Sequence, residues 1–180
     1  LLCRAPKGIR GGFISLAFPS VGATENLLLA AATGHGTTVI ANAAREPEIV
    51  DLAQYLNQCG ARIYGAGESC LIVEGVPALS GSEYTVMPDR IVAATYMAAA
   101  AVTGGTVLLK KVNAGHLLPV LSAFEETGCR VMQSGDELLI RAPERLKPVR
   151  HVRTMPYPGF PTDAQAPVMA MAALGDGTSI

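Results

Sequence analysis

The sequence predicts an α/β fold assembled from a repeated β-α-β-α-β-β unit. The first observation behind this is self-similarity: residues 19–75 and 87–143 overlay without a gap, 68 positions apart. Gly36-Thr-Thr-Val-Ile falls on Gly104-Gly-Thr-Val-Leu, Gly60-Ala-Arg-Ile on Gly128-Cys-Arg-Val, and Leu71-Ile72 on Leu139-Ile140. The second is periodicity, with short β-branched runs alternating with longer stretches whose apolar residues recur at helical spacing. The third is punctuation by glycine and proline at the junctions. A unit of this size buries little apolar surface alone, and stacked copies bury more.

Taken in order, residues 12–18 are the expected leading strand of the first copy. Residues 22–32 read as a short Ala/Leu-rich helix, stopped by Gly34 and Gly36 because glycine accepts positive φ at no steric cost. Residues 37–41 are a β-branched strand. Glu46-Pro47-Glu48 opens the next helix, where proline is tolerated in the first turn. Ile49, Leu52, Ala53 and Leu56 then lie at i, i+3, i+4 and i+7, an amphipathic stripe that Gly60 ends. Residues 62–64 and 70–74 are paired strands around Gly65-Ala-Gly67. The second copy begins with an expected leading strand at 84–87, carries the stripe Leu117, Val120, Leu121 and Phe124, and ends its helices at Gly104 and Gly128. A third copy starts near Pro161, with a helix over 162–174 broken early by Pro167, then Gly175-Asp-Gly177.

The border falls in residues 81–88, which divide the chain into domains 1–87 and 88–180. Leu1 is not an initiator methionine and the third copy stops after its helix, so the expectation is a piece of a longer chain.

Composition bounds the function. Among 180 residues 49% are apolar, enough for a real core, and 16% are charged, with a net charge of −1. No basic block offers a general nucleic-acid surface. The longest apolar stretch, residues 91–102, is too short for a membrane span. Lys7 and Arg10 precede glycines, so no signal peptide is expected. Cys3, Cys59, Cys70 and Cys129 lack metal-ligand spacing, and reduced thiols in a cytoplasmic protein are the simple reading. His35, His116 and His151 share no ligand spacing, and no metal or cofactor is expected.

The chemistry concentrates at three equivalent helix-opening turns. Ser20-Val21-Gly22, in Pro19-Ser20-Val21-Gly22-Ala23-Thr24-Glu25-Asn26, offers free N–H groups and close backbone approach to a phosphate, with the Ser20 and Thr24 hydroxyls as further donors. An ordinary Ser20 cap explains the same residues. In Pro88-Asp89-Arg90, Asp89 is a natural cap, whereas Arg90 opposes the helix dipole and so points to an acidic partner or ligand. Glu46 and Glu48 suit a helix start structurally, or they contact Arg90 or another basic group; Asp51 reads as a surface residue. Asp163, after the stiff Pro156, Pro158 and Pro161, is a first-turn acid or a base aimed at a ligand hydroxyl.

Four strings at these turns, PSVGATEN (19–26), NAAREPEIVDLA (42–53), MPDRI (87–91) and FPTDAQA (160–166), closely resemble the UDP-N-acetylglucosamine 1-carboxyvinyltransferase family of enolpyruvyl transferases. The likeness runs along essentially the whole chain. It implies two domains, each of three βαβαββ units in an inside-out α/β barrel, with this chain holding the end of the first (1–87) and the beginning of the second (88–180). It implies transfer of the enolpyruvyl group of phosphoenolpyruvate to the 3′-hydroxyl of UDP-N-acetylglucosamine with release of phosphate, the first committed step of peptidoglycan synthesis, without metal or organic cofactor. By motif match, Asp163 becomes the catalytic carboxylate near the attacking hydroxyl and one of the substrate-binding residues. Ser20, Val21 and Gly22 become the diphosphate-binding turn, and Glu46, Glu48, Asp89 and Arg90 a hinge and closure network.

The sequence departs from the family pattern in lacking, within these residues, the mobile loop cysteine and the Lys and Arg residues that grip phosphoenolpyruvate. The chain alone is therefore expected to be inactive, its partners being the two substrates and flanking parts of the same chain. Two other readings stand beside this one: the same fold acting on shikimate 3-phosphate, and a non-catalytic sugar-nucleotide-binding module.

Overall fold

Secondary structure begins and ends largely where the capping and glycine residues stand. The computed structural model describes residues 4–180; Leu1 and Cys3, on which two of the readings above fall, lie outside the described residues. The first half runs β1 (Phe13–Ser15), α1 (Val21–Ala32), β2 (Thr37–Ala41), α2 (Pro47–Gln58), β3 (Arg62–Tyr64) and β4 (Cys70–Glu74). The second runs α3 (Arg90–Val102), β5 (Thr106–Leu109), α4 (Leu118–Glu126) after a 3-10 turn, β6 (Arg130–Ser134), β7 (Glu137–Arg141), and α5 (Gln165–Ala172) after the 3-10 turn Thr162–Ala164. The residues divide into two compact units, Leu1–Met87 and Pro88–Ile180.

In the first unit the sheet order is β1-β2-β4-β3, with β1 parallel to β2 and the other pairs antiparallel. The stripe of α2 buries Ile49, Ala53 and Leu56 against Leu28, Ile40, Leu71 and Val73. In the second unit the order is β5-β7-β6, all antiparallel. Leu117, Val120 and Phe124 enter a core with Met97, Leu138, Ile140, Phe160 and Met171. Both cores draw on one face of each helix and one face of the sheet, as two-layer α/β packing requires.

Three expectations are corrected. Residues 84–87 form no strand: the Met87 N–H donates to the Asp51 carboxylate (3.2 Å) instead of a neighbouring ladder. Pro167 does not break its helix. The 3-10 turn delays the start of α5 to Gln165, leaving Pro167 in the first turn, where no N–H is needed.

The copies also do not superpose at one offset. The buried pair Leu28 and Met97 are 69 positions apart, Ile49 and Leu117 are 68, and Leu71 and Leu138 are 67. The uniform 68 is the average of these shifts. The pleat amplifies the difference, because a one-residue change moves a strand residue to the opposite face. Val39 pairs with Ile72 and Val107 with Ile140. Yet Ile72 is 40% exposed while Ile140 is 0% exposed.

Candidate functional site

The opening of α1 is an N-terminus held in place from behind and left open in front. Ser20 is its N-cap, with Oγ accepting from the Ala23 N–H at 3.3 Å. The Val21 and Gly22 N–H groups find no acceptor among the described residues, as the first donors of a helix do not unless a cap or ligand supplies one. Nothing lies within 4 Å of where a Cβ on Gly22 would stand, so the backbone there is approachable. Thr24 is the correction: its hydroxyl is no ligand donor. It is fully buried, donates to the Ser20 carbonyl (2.8 Å) and accepts from the Ala44 N–H (3.0 Å). That pair of bonds ties the Ser20 turn to the segment entering α2.

Glu46 and Glu48 stand at this second turn. Glu46 is the N-cap residue by backbone position but its side chain makes no cap bond; it is buried, and Pro47 follows at the first helical position. Glu48 lies in the first turn, where its charge favours the dipole. The first unit thus brings Ser20, Val21 and Gly22 together with the segment that carries Glu46 and Glu48.

The second unit makes a separate group. Asp89 caps α3, its Oδ1 accepting from the Ile91 (2.8 Å) and Val92 (2.9 Å) N–H groups. Arg90 is buried, with its guanidinium carbon 5.5 Å from the centre of the Tyr157 ring. Asp163 occupies the 3-10 turn Thr162–Ala164; its carboxylate is exposed and accepts no hydrogen bond from the described residues. A carboxylate so left is free to take a proton from an incoming group.

Two features escaped the sequence reading. One is Tyr157, whose ring gives Arg90 a partner; a tyrosine between two prolines carries no period or spacing signal. The other is Asp51, which is not a plain surface residue. It accepts from the Tyr84 hydroxyl (2.9 Å) and the Met87 N–H, strapping residues 84–87 onto α2. Tyr84 also meets Tyr55 edge to face at 5.4 Å. Burial, then the hydrogen bond to Asp51, raises the Tyr84 phenol above its ordinary value. Burial likewise raises the Cys129 thiol, and Cys59, Cys70 and Cys129 are unbridged. Among the described residues no cluster of three or more His, Cys, Asp or Glu is placed to hold a metal ion, and no helix is long and apolar enough to cross a membrane.

The sequence model of the EPSP synthase (3-phosphoshikimate 1-carboxyvinyltransferase) family matches residues 4–180. UDP-N-acetylglucosamine 1-carboxyvinyltransferase 1 of Symbiobacterium thermophilum is 53% identical over 175 residues, covering 97% of this chain and 40% of that protein. UDP-N-acetylglucosamine 1-carboxyvinyltransferase 2 of Caldanaerobacter subterraneus subsp. tengcongensis is 49% identical over 172 residues, covering 96% and 41%. The crystal structure of the enolpyruvyl transferase NikO from Streptomyces tendae matches with a TM-score of 0.79 at 23% identity, over 95% of this chain and 43% of that one, a likeness of fold. The chain thus spans about 40% of the length of the curated relatives it matches.

Proposed function

The chain belongs to the EPSP synthase (3-phosphoshikimate 1-carboxyvinyltransferase) family, and from that premise we propose that it serves an enolpyruvyl transfer to a sugar nucleotide. Phosphoenolpyruvate gives its enolpyruvyl group to the 3′-hydroxyl of UDP-N-acetylglucosamine, and phosphate leaves. The same reading assigns residues 1–87 to the end of a first domain and 88–180 to the start of a second, and gives the reaction to the cytoplasm, at the head of peptidoglycan synthesis. One observation carries the choice of acceptor: about half of all positions are identical to relatives named for UDP-N-acetylglucosamine.

The geometry supports this division of labour. The Val21 and Gly22 N–H groups, with the Ser20 hydroxyl, offer donors for a diphosphate at the positive end of α1. Asp163 takes the proton that the attacking hydroxyl must lose and serves again in the later proton transfer. Glu46, Glu48, Asp89 and Arg90 hold the turns and the hinge rather than making bonds.

The test is Asp163→Asn in the protein made from the full reading frame that encodes this chain. Phosphate release is expected to fall about 10²–10⁴-fold, with the dissociation constant for UDP-N-acetylglucosamine little changed. Turnover at the wild-type rate would remove Asp163 from the chemistry. Phosphate release with shikimate 3-phosphate as acceptor, and none with the sugar nucleotide, would overturn the substrate.

A further inference from the structure

We propose that Arg90 is a positioning residue for Asp163, acting through the Tyr157 ring; this rests on the reading of Asp163 as the base. Asp163 has no hydrogen-bond partner of its own among the described residues to aim it. Its direction is therefore set by the backbone on either side. Downstream, Ala164 is fully buried in the core that α3 and α5 share. Upstream lies a loop closed on itself: Thr154 bridges Phe160, the Met155 N–H donates to the Phe160 carbonyl (2.9 Å), and the Gly159 N–H to the Pro156 carbonyl (2.8 Å). A Cβ on Gly159 would stand 2.5 Å from that of Met155, so only glycine closes the loop this tightly.

Phe160 anchors one end of the loop in the core. Tyr157, half-buried at the tip, is held by the Arg90 guanidinium. Arg90 is only 6% exposed and stands first in α3, where a cation opposes the helix dipole. A guanidinium buried there attracts an aromatic face most strongly where water is excluded, and the Tyr157 ring lies within that reach. Helix α3 thereby holds the Asp163 turn at two places, through the Ala164 packing downstream and the Arg90–Tyr157 contact upstream. Releasing the Arg90–Tyr157 contact leaves the carboxylate present but less well aimed, and small misplacements of a reacting group are costly in rate.

The experiment measures kcat, the KM for each substrate and the melting temperature of the full-reading-frame protein carrying Arg90→Gln, Tyr157→Leu, the pair together, and each in an Asp163→Asn background. Arg90→Gln and Tyr157→Leu are each expected to lower kcat about tenfold with nucleotide KM unchanged. The pair should lose no more than either alone, and neither should lose more once Asp163 is Asn. Tyr157→Phe, which keeps the ring, should recover most of what Tyr157→Leu loses. If Arg90→Gln does not fold, the Tyr157→Leu and Tyr157→Phe contrast decides. Losses that multiply in the Asp163→Asn background mean a merely structural role and overturn the proposal. So does wild-type kcat in Arg90→Gln and Tyr157→Leu beside an impaired Asp163→Asn, with the function left standing. Wild-type kcat in Asp163→Asn brings down the functional reading and this inference with it.

Discussion

In the first unit the helix-opening turn is capped by a hydroxyl, and in the second by a carboxylate. Ser20 accepts from one N–H at 3.3 Å and leaves those of Val21 and Gly22 without an acceptor; Asp89 accepts from two, at 2.8 and 2.9 Å. The two turns are equivalent in the repeat, and the difference between them is that one cap is neutral and the other carries a carboxylate at the same place. A neutral cap leaves the positive end of α1 available to an anion. An ionised cap neutralises the end of α3 and repels one. The repeat thus holds two helix-opening turns in equivalent places, of which only the first leaves its leading N–H groups without an acceptor among the described residues.

The contrast extends one turn further in. Thr24 in α1 bonds both the Ser20 carbonyl and the Ala44 N–H. The matching position in α3 is Ala93, 69 residues on, which has no hydroxyl to do this. Thr24→Val keeps the shape and strands the buried Ala44 N–H. It should cost the first unit about 1–3 kcal/mol by urea denaturation; a loss within error would mean that the tie contributes nothing and that the turns differ only in their caps.

The caps themselves come next in size. Asp89→Ala should cost the second unit about 1 kcal/mol. Ser20→Ala, losing a single longer bond, should cost the first unit about half of that while weakening nucleotide binding. Equal stability losses, with no effect of Ser20→Ala on affinity, would erase the distinction.

The smallest effect separates the ends of the units. The strap of residues 84–87 depends on a protonated Tyr84 phenol donating to Asp51. Because the folded state raises the Tyr84 phenol, its contribution is fully present below about pH 10, the unfolded value, and is lost as pH rises through the folded one. Stability of the first unit should fall above that pH, and Tyr84→Phe should flatten the fall. An unchanged profile in Tyr84→Phe would show that the strap is not the alkaline weak point.

Much of this was legible beforehand. The strands at residues 37–41, 62–64 and 70–74 were readable to the residue because short runs carrying Thr, Val, Ile or Tyr each abut a glycine, Gly36, Gly65 and Gly75. The α2 stripe was equally plain from its spacing. The loss came where one residue matters: self-similarity gives an average offset, and the pleat reverses faces on a single insertion, so Ile72 and Ile140 parted company. Residues 84–87 look like a strand by composition and are not one, because their donor goes to the Asp51 side chain, a long-range bond without sequence periodicity. At the turns, residue types located the candidates, but Thr24, Asp51 and Tyr157 owe their roles to partners 20 or more positions away.

The most direct measurement is calorimetric binding of UDP-N-acetylglucosamine to the full-reading-frame protein carrying Ser20→Asp. This substitution turns the first cap into the second and keeps the helix capped. Affinity should drop by at least tenfold with the melting temperature held or raised, since a carboxylate then occupies the donors proposed for a diphosphate. Unchanged affinity in a well-folded Ser20→Asp protein would contradict the claim that the open end of α1 is where the nucleotide's phosphates sit.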